Sequence, residues 1–95
     1  MISKIVENAL NKQVTIEAES SQLYLAMACW AEAKGLEGVA QFMYKQSDEE
    51  RLHMLKIVKF INERGGNTYI SELKAPSISF NNFKEMFQAL HDHEI

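Results

Sequence analysis

From Met1 to Lys34 the chain contains neither glycine nor proline, and from Val39 to Arg64 it again contains neither. Two runs of this length without a breaker read as helices, over about 3–34 and about 37–64. Gly35 is placed to end the first and the Gly65–Gly66 pair to end the second. Between them, Gly35-Leu36-Glu37-Gly38 leaves room only for a tight reversal, which makes the pair an antiparallel hairpin. Residues 67–80, NTYISELKAPSISF, hold Pro76 and no sustained 3.6-residue period, so they read as a long connection. A third helix is expected from Asn81 or Asn82, with Glu85 placed for a cap. It runs to Ile95 and stops at HDHEI without Gly, Pro or a basic last turn, as if cut off. The expectation is one all-α domain over 1–95 that is the leading part of a larger architecture.

A length of 95 residues suits one small domain, and a net charge of −3 with both signs interspersed offers no basic stripe for nucleic acid and no polybasic membrane patch. It slightly favours cations. The longest apolar run, Leu23 to Ala31, falls well short of the roughly 20 residues that span a bilayer. The first residues lack the apolar centre of a secretory signal, so a cytoplasmic location is expected. Cys29 is the single cysteine, so no internal disulfide forms, and its apolar neighbours predict a small buried side chain.

Helical spacing places Leu10, Val14, Glu17, Ser21, Tyr24, Ala28 and Ala31 on one face of the first helix. In the second, the same rule selects Val39, Met43, Gln46, Glu50, His53, Ile57 and Phe60. In the third, Phe83, Phe87, Leu90 and Glu94 share a face. Each apolar row is interrupted by a carboxylate, and the second also by an imidazole. At about 1.5 Å of rise per residue, a hairpin turning at Gly35 sets Glu17 level with His53. If the connection runs back along the hairpin, the third helix is parallel to the second, and Glu94 and Glu50 fall at about the same depth. All four groups then meet.

A carboxylate buried alone costs several kcal/mol, and several together persist when a cation lies among them. Oxygen ligands with one imidazole suit iron or manganese, and Glu-x-x-His sets a carboxylate and an imidazole on the same side of a helix, one turn apart. By chance alone Glu-x-x-His is common; the matching depth of Glu17, Glu50, His53 and Glu94 is what favours a metal. Tyr24, two turns from Glu17, is a candidate hydrogen-bond or redox partner and an equally good core residue. Glu49 reads as a surface charge rather than an accessory ligand, His91 and His93 as solvated, and the methionines as gap fillers.

These segments, QSDEERLHMLKIVKFINERGGN at 46–67 and EAESSQLYLAMACW at 17–30, resemble the ferritins, specifically the bacterial non-haem ferritins. The resemblance implies a ferritin-like four-helix bundle, of which this chain supplies two long antiparallel helices, a crossover connection and the start of a third helix. By the same resemblance Glu17 and His53 bind one iron, Glu50 bridges, Glu94 binds a second, Glu49 matches the ligand of an additional iron, and Tyr24 is the nearby tyrosine. Haem-binding relatives carry Met directly after the bridging Glu; Arg51 stands here, so no haem is expected. The implied function is ferroxidase and iron storage: Fe(II) is oxidised by oxygen at a di-iron centre and stored in a 24-subunit homo-oligomeric cage. Ferritin subunits continue through a complete third helix, a fourth and a short fifth. The residues leave two other readings open, a hairpin that pairs with a second copy around a shared di-iron site, and a non-catalytic helical interaction module whose polar seam sets register.

Overall fold

The computed structural model describes residues 1–94, with side chains for 1–93. The described residues form three helices and no strand: α1 Lys4–Ala33, α2 Glu37–Glu63 and α3 Phe83–Glu94. The molecule is a rod, 48 × 21 × 19 Å, because α1 alone has 30 residues, or about 45 Å of helix. Ser3 caps α1, its hydroxyl accepting the Val6 N–H at 3.2 Å.

Both long helices end in the same way. The Gly35 N–H donates to the Glu32 carbonyl and the Leu36 N–H to the Ala31 carbonyl, and the pattern repeats with Gly65 to Asn62 and Gly66 to Ile61. This paired closure needs a left-handed residue just past the helix, and Gly35 and Gly65 supply it at φ 77° and 76°.

Two small polar residues bring α1 and α2 together. The Ser21 hydroxyl donates to the Ser47 carbonyl at 2.9 Å, and the Ser47 hydroxyl donates to the Ser21 carbonyl at 2.8 Å. Apolar packing continues on either side: Val14 with Met54 and Ile61 below the serines, Tyr24, Met27 and Ala28 with Met43 above. The α1 row follows the predicted face. The α2 face does so in part: Met43 is buried and Val39 and Ile57 pack against the core, but the other buried residues, Ala40, Ser47, Met54 and Ile61, lie off the expected row. The expected row through Glu50 and His53 borders that contact on the bundle's open side, since a bundle helix has two apolar stripes and α1 takes the one with smaller residues.

The connection is pegged to α1 over its first five residues and again at Phe80. The Asn67 N–H donates to Glu7 Oε1 at 2.7 Å, the Tyr69 N–H to Asn11 Oδ1 at 2.8 Å, Ser71 and Thr15 hydroxyls lie 3.1 Å apart, and the Trp30 indole donates to the Phe80 carbonyl at 3.2 Å. Glu7 is buried yet ionised with ease, because the Asn67 N–H and then Lys4 hold its pKa below the usual 4.5. Rising along α1 in this way, the chain starts α3 level with the hairpin turn, so α3 runs antiparallel to α1 and parallel to α2. Asn82 caps it, Oδ1 accepting the Glu85 N–H at 3.0 Å.

Two expectations fail here. The α3 core residue is Met86, 1% exposed, whereas Phe83 and Phe87 are 43% and 55% exposed. The groove beside α1 is narrow and lined by Tyr24, Met27 and Ala28, which an unbranched thioether fills better than a ring. Cys29 is exposed, one step round α1 from buried Ala28, so apolar neighbours in sequence did not bury it.

Gly66 offers a test of the pegged turn. A Cβ there would meet Glu7 Oε1, Ile2 Cδ1 and Ile61 Cγ2, each at 3.0 Å, while one at Gly38 would meet nothing within 4 Å. Gly66→Ala is expected to destabilise by about 1–3 kcal/mol through overpacking. Gly38→Ala, inside a helix, is expected to be neutral or to stabilise by up to about 1 kcal/mol. Urea unfolding of both variants checks this.

Candidate metal centre

The serine contact determines what lies beside it. Glu17 is four residues before Ser21 on α1, Glu50 three after Ser47 on α2, and His53 one turn further, so all three project from neighbouring turns at one level. His53 Nδ1 lies 3.9 Å from Glu17 Oε2 and 3.9 Å from Glu50 Oε2. One ligand atom from each of the three falls within 4.8 Å of the others. The carboxylates are largely withdrawn from water, at 16% and 21% side-chain exposure, while the imidazole at 55% faces the open side. Gln13 holds the other oxygen of Glu17, Nε2 to Oε1 at 3.1 Å, leaving Oε2 for the cluster.

Two carboxylates this close cannot both ionise freely. The pKa of Glu50 is pushed up to about 7, first by the hydrogen bond it shares with Glu17, then by desolvation and the Glu17 charge; His53 pulls the other way, and Glu49 adds a little repulsion. A proton or a cation between them relieves the repulsion. Donors bound to one first-row ion at roughly 2.0–2.2 Å stand about 3–4 Å apart, so a small contraction of side chains makes the three a ligand set.

The other candidates lie elsewhere. Glu49 is half-buried and outside the group of three. Tyr24 is buried on α1, two turns from Glu17. Glu94 is the last residue of α3 and its side chain lies outside the described residues. His93 is exposed, as expected, and also makes two contacts with α1. Its Nε2 is 2.9 Å from Ser20 Oγ, and its ring meets that of Tyr24 edge-on, 5.5 Å between centroids at 85°. Had the stripe been started at Met86, spacings of four and three through Leu90 would have selected it.

The Ferritin-like domain family matches this chain over residues 7–95. The chain belongs to the ferritin family. A probable bacterial non-heme ferritin-like protein of Haemophilus influenzae is 37% identical over 94 residues, which are 99% of this chain and 57% of that protein. The bacterial non-heme ferritin of Staphylococcus aureus strain USA300 is 38% identical over 88 residues, 93% of this chain and 53% of that protein. Among solved structures, Chlorobium tepidum ferritin superposes with a TM-score of 0.92 at 36% identity, over 99% of this chain and 58% of its own. An open pore ferritin from Archaeoglobus fulgidus gives 0.91 at 33%, over 99% and 58%. This ferritin-family chain thus spans a little over half the length of these relatives, and its helices are those of the ferritin four-helix bundle.

The cluster has a pH signature. The folded-state pKa of Glu50, about 7, lies above the ordinary 4.5, so its contribution to stability is complete below that ordinary value and is lost as pH rises through 7. Metal-free protein is expected to lose stability between those two pH values. Glu50→Gln, which removes one of the two charges, is expected to flatten the slope. Thermal melts across this range, with and without the substitution, measure both.

Proposed function

We propose that this chain works in iron storage, binding Fe(II) as substrate at Glu17, Glu50 and His53 for oxidation by oxygen, with the ferric product kept in a protein cage. The observation that carries the reading is the convergence of two mostly buried carboxylates and an imidazole from two helices, in a chain whose relatives are ferritins. In this reading Glu17 and His53 take the first iron and Glu50 bridges to a second, which Glu94 holds; Glu49 serves an additional iron. Two Fe(II) ions at roughly 4 Å each release one electron to oxygen, and the carboxylates offset the charge that grows on the metals. With two protons taken up, dioxygen leaves as hydrogen peroxide and both irons as Fe(III). Tyr24 stands near as a hydrogen-bond or electron partner.

The proposal extends to a homo-oligomeric assembly in the cytoplasm. No helix among the described residues is long and apolar enough to cross a membrane. The fourth position of the bundle is an apolar groove between α2 and α3, walled by Val39, Phe42, Met43, Phe83, Met86 and Phe87. One observation favours a second reading: α1 gives one Glu and α2 one Glu-x-x-His, half the set that di-iron bundles draw from four helices. Two copies then complete one site, and particle size with iron per chain separates a compact dimer from a cage.

Fe(II) added without oxygen is expected to raise the melting temperature of the protein, and Glu50→Ala to abolish that rise. Oxygen uptake on iron addition is expected to fall about tenfold or more in the same variant. A protein whose melting and oxygen uptake ignore both iron and the substitution would be a helical interaction module instead.

A further inference from the structure

His93 spans one turn of α1. Ser20 and Tyr24 are four residues apart on the same face, and the imidazole touches both, bonded to the hydroxyl of one and edge-on to the ring of the other. Ser20 is buried, so its hydroxyl depends on this partner. A long side chain on a helix leans toward the N-terminus. On that rule Tyr24 leans from its own turn toward that of Ser20, and the imidazole lies edge-on to its ring. Ser20 is also one residue from Ser21, where α1 and α2 exchange their hydroxyl bonds, and three from Glu17. The bond from His93 thus ties the final turn of α3 to the level of the metal centre.

We propose that His93 is a positioning residue for that centre. It holds the Tyr24 ring beside the cluster and locks the end of α3 at the height of Glu17, Glu50 and His53, without itself binding metal. The inference rests on the metal reading of those three residues.

Terbium(III), a hard cation that takes carboxylate oxygens and glows when a nearby tyrosine is excited, tests it with the metal alone. The chain is expected to bind the ion with tyrosine-excited emission, most of which Tyr24→Phe removes. His93→Leu is expected to lower emission per bound ion roughly threefold while affinity stays within about twofold, as for a site whose support has loosened. Ser20→Ala, which removes the hydrogen bond and keeps the ring contact, is expected to fall between the two. Circular dichroism confirms that each variant is folded.

Unchanged emission in both His93→Leu and Ser20→Ala overturns the proposal, as does unchanged emission in Tyr24→Phe. A drop in affinity in His93→Leu with emission per bound ion unchanged overturns it too, since the Tyr24 ring would then keep its place beside the ion without His93. Absence of terbium binding by the unmodified chain defeats the metal reading and this inference together, whereas binding with unaltered variant emission defeats this inference alone.

Discussion

Two hydroxyls set the geometry of this protein. Ser21 and Ser47 each give a proton to the other helix's backbone, and only side chains this small let two backbones come within reach of such bonds. Because each bond joins a side chain to a main-chain carbonyl, it defines both the spacing and the axial register of α1 and α2. Leucines at these positions would pack well enough but would slide. With register fixed, the helical repeat delivers Glu17 and Glu50 to one place without further help.

That convergence is a local conflict inside an otherwise consistent fold. The packing below and above is apolar and closed, with Val14, Met54 and Ile61 on one side and Tyr24, Met27 and Met43 on the other. Between them lie two carboxylates that repel, and their closeness pushes the pKa of Glu50 up to about 7. Such violations of good packing concentrate where a protein does chemistry. In the proposed reading a divalent ion resolves the conflict that the hydroxyl register creates, so the same two serines that join the helices also set the ligand positions.

The two long helices and their glycine ends could be read directly from residue order, because backbone breakers act locally. Glu17, Glu50 and His53 could be read as well, since charged groups interrupting apolar rows at equal depth are rare. What could not be read is the rotation of α2 and α3 about their own axes. On α2 two apolar stripes lie side by side, and periodicity alone cannot say which one faces α1. On α3 the pair Phe83 and Phe87 outweighs Met86 in hydrophobicity, but shape decides the contact, and a narrow groove selected the thin side chain. His93 was missed for the same reason: its place in the stripe is visible only once Met86 defines it. Glu94, which shares that final turn, is placed by its spacing from Leu90 and by depth, and its side chain lies outside the described residues.

The crossover segment acts as a ruler. Glu7, Asn11 and Thr15 grip Asn67, Tyr69 and Ser71 at successive heights on α1, every second residue of the strap meeting every fourth of the helix, so this first stretch has little slack. Where ordinary surface loops absorb insertions and deletions freely, a residue added or removed between Asn67 and Ser71 would put these bonds out of step with α1. Length in those five residues is therefore tied to the repeat of the helix they lie along.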